Sequence, residues 1–473
     1  MVTTPGFVIA ATASGAGKTT IATGLMYALA QRMTVAPFKV GPDYIDPSYH
    51  SLATKTQGRN LDSVMCGREL IGPLYAHGCQ GADIAVVEGV MGLFDGRITT
   101  EHSGSDYAEG STADIAALLG LPIVLVVDVR GMSQSVGALV RGFSTYDPRL
   151  NIAGVILNNA GSSRHAEVCQ QAIIDCGIPV FGVVPRIKDI AVPSRHLGLV
   201  TSGELTTAQE AVEKMGDIVE QYVDIDRIIE CAQCQWEGEP WKPEDHIEAV
   251  ARHARVRIAL ATGPAFSFTY AEHRELLAAA GAELMSFDPL RDDFPDCDGL
   301  IIPGGFPEEY CKELAQRSEL AKQIRARIEQ GMPVHAECAG LLWLLDTLDS
   351  YPMLGVIPAV ATMKNRVTLG YRDSVALVDS CLYRAGQRVV GHEFHYTQLV
   401  VDAESRAHDS GDYNPAWAWR SWEKEVVKEG FIRGNIHASY VHVHPAAVPT
   451  AISRFVEQCL HYAACRDAVS DTA

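Results

Sequence analysis

The chain has 473 residues, 47% hydrophobic and 21% charged, which is too long for one ordinary core and fits a soluble globular protein of two domains. Its 58 acidic residues against 39 basic ones give a net charge of −19. That surface excludes nucleic acid and anionic membranes as general partners, and an anionic substrate would need a local basic patch. No apolar run reaches the ~18 residues of a membrane span, and no charged start precedes an apolar leader. The twelve cysteines are scattered without a paired framework, so a reducing cytoplasm is the expected compartment.

In chain order, an apolar run at 7–11 leads into Thr12-Ala13-Ser14-Gly15-Ala16-Gly17-Lys18-Thr19-Thr20, and 21–29 follow with helical spacing. Strand, small-residue loop, Gly-Lys-Thr and helix make a phosphate cradle. Ser14, Gly15, Gly17, Lys18, Thr19 and Thr20 are its expected nucleotide contacts, with Lys18 on the outer phosphates and the Thr19 hydroxyl on magnesium. The motif departs from its usual form in one place, since Thr12 stands where its first glycine would be. Further apolar runs at 35–38, 84–87, 122–127, 152–157 and 180–184 alternate with helical segments of crossover length. This predicts a mostly parallel sheet with helices on both faces.

Functional loops belong at the carboxyl ends of such strands. There the sequence places Lys39, Asp43 and Asp46 after one strand, and Glu88 and Asp95 after another. Carboxylates beside a triphosphate repel it unless a hard cation lies between, so magnesium is expected. Lys39 supplies a second positive point for a transferred phosphoryl group. From about 224 to 255 the chain turns polar and irregular, with Trp236, Pro240, Trp241, Pro243 and a Cys231-Ala232-Gln233-Cys234 pair that lacks partner ligands and reads as structural.

A second α/β pattern starts at 257, with strands expected at 257–262, 282–287, 299–302 and 333–336. The last runs into Glu337-Cys338-Ala339-Gly340. A cysteine at a strand-to-helix turn is a nucleophile elbow, and the helix end is expected to favour thiolate. Gly304-Gly305 would bring backbone N–H groups, that of Gly305 included, to form an oxyanion hole with the N–H of Ala339. His442 and His444 offer a base, both expected on one face of a strand. The segment His392-Glu393-Phe394-His395 looks β-like and lacks the helical spacing of a zinc site. A phosphate-loop domain joined to a cysteine-nucleophile domain points to amide synthesis: one activates a carboxylate with ATP, the other releases ammonia from glutamine.

The segments FKVGPDYIDPSYH, VVEGVMGLFDG, PSRHLGL, PGGFPEEY, HAECAGL and GHEFHY, in this order over nearly the whole chain, resemble the cobyrinate a,c-diamide synthases of corrinoid biosynthesis. The resemblance implies a dethiobiotin-synthetase-like domain over 1–230, a linker over 231–255 and a class I glutamine amidotransferase-like domain over 256–473. It implies ATP-, magnesium- and glutamine-dependent amidation of the a and c acetates of a corrin polycarboxylate through an acyl phosphate. By motif, Lys18 and Thr19 hold phosphate and magnesium, Glu88 and Asp46 ligate the metal, and Asn158 reads adenine. Asp43, Asp46 and Asp95 organise metal, substrate carboxylate and acyl phosphate. Cys338 is the nucleophile and His442 its base, while Arg195 and His196 meet the substrate. Two positions depart from the amidotransferase pattern: Ala336 stands at the first glycine of the elbow, and His444 stands where the third triad member, a Glu, would be.

Neighbouring readings keep the chemistry and change the ring, to hydrogenobyrinate or nickel sirohydrochlorin, or take the related cobyric acid synthase. A partition-type ATPase shares the sheet but would carry a lysine at Ala13 and would lack the cysteine domain. Exposed sheet edges are compatible with a homodimer.

Overall fold

The apolar runs of the first half form strands: β1 (Gly6–Ala11), β2 (Val35–Val40), β3 (Arg59–Leu61), β4 (Ile84–Glu88), β5 (Ile123–Asp128), β6 (Ile152–Ala160) and β7 (Val180–Pro185). The computed structural model describes residues 4–98, 108–187, 205–247, 255–400 and 412–470. Every residue of β1, β2 and β4 is buried, as strands covered on both faces must be. The strands run in the order β3-β2-β4-β1-β5-β6-β7, and every pairing is parallel. From β1 the chain steps out to β2, returns to β4 beside β1, and then crosses to β5 on the other side. The carboxyl ends of β1, β2 and β4 therefore meet at a topological switch point, where an open α/β sheet binds its ligand.

The chain divides into two compact units, Met1–Trp241 and Lys242–Ala473. The second unit continues with β8 (Val256–Ala261), β9 (Ala282–Phe287), β10 (Gly299–Ile302), β11 (Val334–Glu337), β12 (Leu345–Leu348) and β13 (Tyr351–Pro352). Then come β14 (Ile357–Ala376), β15 (Arg388–Leu399), β16 (Trp417–Arg420), β17 (Val426–Glu429), β18 (Phe431–Arg433) and β19 (Ile436–Ser439). One sheet has the order β18-β19-β11-β10-β8-β9, parallel except for the β18–β19 pair. A further sheet, β13-β12-β14-β16-β17, carries β15 antiparallel along the twenty-residue β14.

The polar stretch after 231 belongs in part to the first unit. Gln233 exchanges backbone hydrogen bonds with Gly6 (3.0 and 3.3 Å), and the Gln235 and Trp236 N–H groups both donate to the Leu119 carbonyl. The Cys231 and Cys234 thiols donate to the carbonyls of Ile228 and Leu119. Trp241 ends the strap. It is 1% exposed, stands edge-on to His77 at 5.1 Å, and its backbone N–H donates to the Pro73 carbonyl. Trp241→Ala should therefore cost about 3–5 kcal/mol, the range for emptying a buried tryptophan site. Chemical unfolding of the full chain followed by circular dichroism checks this; an unchanged first transition would mean that the strap does not anchor the unit.

Candidate functional site

The first site is built on strand register. Lys39 and Glu88 are direct partners in the parallel β2–β4 pair, and Ile9 pairs with Glu88 from β1. Both charged side chains therefore project at the same level, next to the loop that leaves β1. Lys39 Nζ lies 3.0 Å from Glu88 Oε1, 2.5 Å from Asp46 Oδ2 and 3.1 Å from the Gly89 carbonyl. The Thr19 hydroxyl donates to the same Glu88 Oε1 at 2.6 Å. His50 Nε2 meets the other oxygen, Oε2, at 2.7 Å. Burial works against charge on Lys39, but Asp46, Glu88 and Asp43 outweigh it and hold the ammonium above its usual pKa. Burial likewise opposes ionisation of Glu88, yet Lys39, His50 and Lys18 hold that carboxyl well below its usual range. Asp46 is the group pushed up, by burial and by the carboxylates of Asp43 and Glu88, against the pull of Lys39.

Around this centre, Gly17 takes a left-handed conformation (φ 94°) and opens the helix Lys18–Ala30. Lys18 Nζ donates to the Met91 carbonyl at 3.3 Å, and burial together with Lys39 lowers its pKa. Thr20 lies in the first turn of that helix, while Ser14 and Gly15 are exposed on the loop. Asp43 Oδ1 accepts from the N–H groups of Ile45 and Asp46 and so starts the helix Ile45–Thr54, which carries Asp46 and His50. Asp95 is exposed and closes its own turn, Oδ2 accepting from Gly92 N–H at 2.9 Å. Asn158 donates from Nδ2 to the Ala16 carbonyl at 2.9 Å, which fastens β6 to the phosphate loop. Arg195 and His196 lie outside the described residues. Among the described residues no group of three or more His, Cys, Asp or Glu side chains could hold a metal ion. A magnesium site needs only one or two protein carboxylates beside phosphates and water, and the oxygens of Thr19, Glu88 and Asp46 are of that hard kind.

The second site lies where β11 ends. Cys338 has φ 48° and ψ −96°, outside the ordinary regions for a non-glycine residue, and the helix Ala339–Leu344 begins after it. This is the elbow. Its N–H donates to the Ser439 carbonyl at 2.7 Å, and the Ala339 N–H is hydrogen-bonded to the thiol. Contrary to the expectation that a helix end would favour thiolate, the Cys338 thiol is pushed up. Burial is the main cause, and the carboxylates of Glu308, Glu337 and Glu393 add to it while the Ala339 N–H only partly offsets them. Glu308 is itself raised to about 7 by burial, with Glu309 and Asp349 adding.

His442 and His444 do not share a strand face, because β19 stops at Ser439. Buried Glu429 takes over there: it accepts from the Ser439 hydroxyl and the Tyr440 N–H, at 2.6 and 2.7 Å, and turns the chain. His442 then exchanges two 2.8 Å backbone hydrogen bonds with His392 of β15, the strand that the GHEFHY segment forms. Its Nδ1 lies 3.4 Å from Glu337 Oε2. His444 faces elsewhere, toward Glu272 Oε2 at 3.8 Å and the Tyr270 ring. The glycines of two motifs make room for this placement. A Cβ at Gly304 would stand 2.5 Å from His442 Cε1, and one at Gly391 would stand 2.7 Å from the His442 carbonyl oxygen. Gly305 is pressed against the Ala265 backbone.

Two residues were missed in sequence. Glu337, immediately before Cys338, brings a carboxylate to His442, whereas the place two residues after that histidine is taken by His444. His50 completes the partners of Glu88. Glu337 could have been suspected as a charged residue at a buried strand end, whereas His50 gave no signal beyond lying inside a quoted motif.

The chain is similar to known proteins along almost its full length. Residues 7–200 match the CobQ/CobB/MinD/ParA nucleotide binding domain, and residues 257–449 the CobB/CobQ-like glutamine amidotransferase domain. A hydrogenobyrinate a,c-diamide synthase of Mycobacterium tuberculosis (strain ATCC 25618 / H37Rv) is 52% identical, covering 95% of this chain and 96% of the relative. The protein of that name from Streptomyces coelicolor is 47% identical, covering 96% and 97%. A cobyrinate a,c-diamide synthase of Gloeobacter violaceus is 40% identical, covering 96% of both. The phosphate loop and the cysteine elbow thus sit one in each matched domain, and the chain belongs to the CobB/CobQ family of cobyrinate and hydrogenobyrinate a,c-diamide synthases.

Proposed function

We propose that the chain catalyses glutamine-dependent, ATP-driven amidation of the a and c carboxylates of a corrin polyacid in cobalamin biosynthesis. One observation carries the reading. A buried charged cluster around Glu88 beside the phosphate loop, and a cysteine elbow whose preceding residue Glu337 meets His442, stand on one chain that is covered to 95–96% by named a,c-diamide synthases. Hydrogenobyrinate is the ring favoured, since relatives bearing that name are 43–52% identical, against 37–40% for the cobyrinate enzymes.

At the first site, a substrate carboxylate oxygen attacks the γ-phosphorus of ATP, the bond to the β-phosphate oxygen breaks, and ADP leaves an acyl phosphate. Lys18 and Lys39 hold positive charge where the transferred group gains negative charge, without reorganisation at the moment of reaction. Glu88 keeps Lys39 charged and Thr19 oriented, and His50 fixes its second oxygen. The Thr19 hydroxyl and the Glu88 and Asp46 carboxylates would hold magnesium, which when bound neutralises phosphate charge and polarises the phosphoryl group. A cation also relieves the mutual repulsion of Asp46, Asp43 and Glu88. Asp43 sets the loop that carries Asp46, and exposed Asp95 meets the incoming substrate.

At the second site, Cys338 Sγ attacks the glutamine amide carbon and gives its proton to His442, which passes it to the departing ammonia. Water then hydrolyses the thioester to glutamate. Glu337 accepts from His442 Nδ1, because an ionised carboxylate only accepts, and so leaves Nε2 for the thiol. The N–H groups of Gly305 and Ala339 are the oxyanion donors. Ammonia attacks the acyl phosphate carbon and expels phosphate, forming the amide.

Lys18→Ala and Glu88→Ala should lower ATP-dependent amidation by about a hundredfold to a thousandfold, the scale of losing one preorganised charge partner, while glutamine hydrolysis persists. Product mass spectrometry with metal-free and cobalt-containing rings reads both the loss and the preferred ring; near-normal amidation by Lys18→Ala would sink the first site. Cys338→Ala should lose glutamine-dependent synthesis yet still use added ammonium salt, better as rising pH supplies free ammonia. If that variant hydrolyses glutamine at the normal rate, the second site is assigned wrongly.

A further inference from the structure

Glu337 is held from two sides. Its Oε2 faces His442 Nδ1, and its Oε1 lies 3.1 Å from His335 Nε2. Both residues are on β11 two positions apart, so they share a face of the strand. Their side chains are nearly buried, at 8% and 13% exposure. We infer that His335 is a positioning residue of the cysteine centre, clamping one oxygen of Glu337 so that the other is presented to His442. The inference rests on the reading of Cys338 as the glutamine-hydrolysing nucleophile.

The His335 ring has little freedom to turn away. It packs against His273 of the helix Ala271–Ala279 at 5.6 Å, His437 of β19 at 6.4 Å and Phe455 of the helix Pro449–Ser470 at 6.2 Å. The facing histidines carry no charge at neutral pH, since burial together with His335 drives each down to about 3. Glu337 is thus an ionised group that meets His335 directly. His335 Nδ1 is buried with no hydrogen-bond partner. With a carboxylate that only accepts on the other side, the proton sits on Nε2 and is donated to Glu337. The β11–β19 register pairs His335 with His437 and Glu337 with Ser439, and Ser439 is also the acceptor for the Cys338 N–H. One strand pairing therefore sets nucleophile, orienting acid and clamp together.

Two polar replacements test the clamp in the full-length protein. Gln puts its amide nitrogen where Nε2 was, and Asn puts its own where Nδ1 was, out of reach of Glu337. His335→Asn should lower kcat for glutamine hydrolysis about tenfold or more, the scale on which outer hydrogen bonds act through the histidine they orient. KM for glutamine and ammonia-dependent synthesis should stay near their normal values, and His335→Gln should restore most of kcat. The inference fails if His335→Asn hydrolyses glutamine normally or if His335→Gln falls as far as His335→Asn. It fails too if ammonia-dependent synthesis drops in step with hydrolysis, which would mark a merely structural role. A normal protein without glutaminase activity, or a Cys338→Ala protein that retains it, would remove the reading beneath the inference instead.

Discussion

The site beside the phosphate loop depends on one buried carboxylate, Glu88, which Lys39, His50 and Lys18 hold well below its usual pKa against the effect of burial. Glu88 is fully buried and pairs in register with Lys39, so two opposite charges leave water together at the level of the phosphate loop. A buried ion pair gains little stability over apolar residues of like volume, but losing one partner of it is costly. Its value here lies in placement. Thr19 and Lys39 share one oxygen of Glu88 and His50 takes the other, so the ammonium and hydroxyl groups that we propose meet phosphate are already fixed by this carboxylate. Asp46 is the member of the cluster pushed up, by burial and by the carboxylates of Asp43 and Glu88, and the magnesium proposed for this site would offset that repulsion.

The cysteine centre rests on a different compromise. Cys338 is held in a strained backbone conformation and is surrounded by carboxylates that raise its thiol. On the proposed mechanism, ionisation of this thiol depends on a partner that takes its proton, the role we assign to His442 held by Glu337. The carboxylate stays ionised because His335 and His442 both face it, although burial opposes its charge. In the proposed mechanism Glu337, at the end of the strand just before Cys338, takes the part of the carboxylate expected after the histidine.

Much of this was legible in the sequence, because buried parallel strands are nearly continuous apolar runs and their carboxyl ends can be read off directly. That reading placed Lys39, Asp46 and Glu88 beside the phosphate loop and Cys338 at a strand-to-helix turn, which is where they stand in the structure. His442 was separated from His444 only by resemblance; physically, the distinction is made by Glu429, which turns the chain after Ser439 and sends the two rings to different partners. That contact joins residues from two strands and leaves no periodic trace. The long β14–β15 pair was not foreseen beyond GHEFHY, since its burial alternates irregularly along β14. The thiol was misjudged because a helix end is a local feature, whereas burial and the carboxylates of Glu308 and Glu393 come from distant segments. The strap to Trp241 was read as part of an interdomain linker, because its anchoring is by backbone hydrogen bonds and one buried ring.

The account turns on the claim that the Glu88-centred site moves a phosphoryl group onto the substrate carboxylate. Preparing the corrin polyacid with heavy oxygen in its carboxylates and following the label through one round of amidation tests this most directly. If the acyl phosphate forms, each amide made sends one labelled oxygen into inorganic phosphate, and Lys18→Ala suppresses the transfer. Label appearing in AMP, or amide formed with unlabelled phosphate, would contradict it.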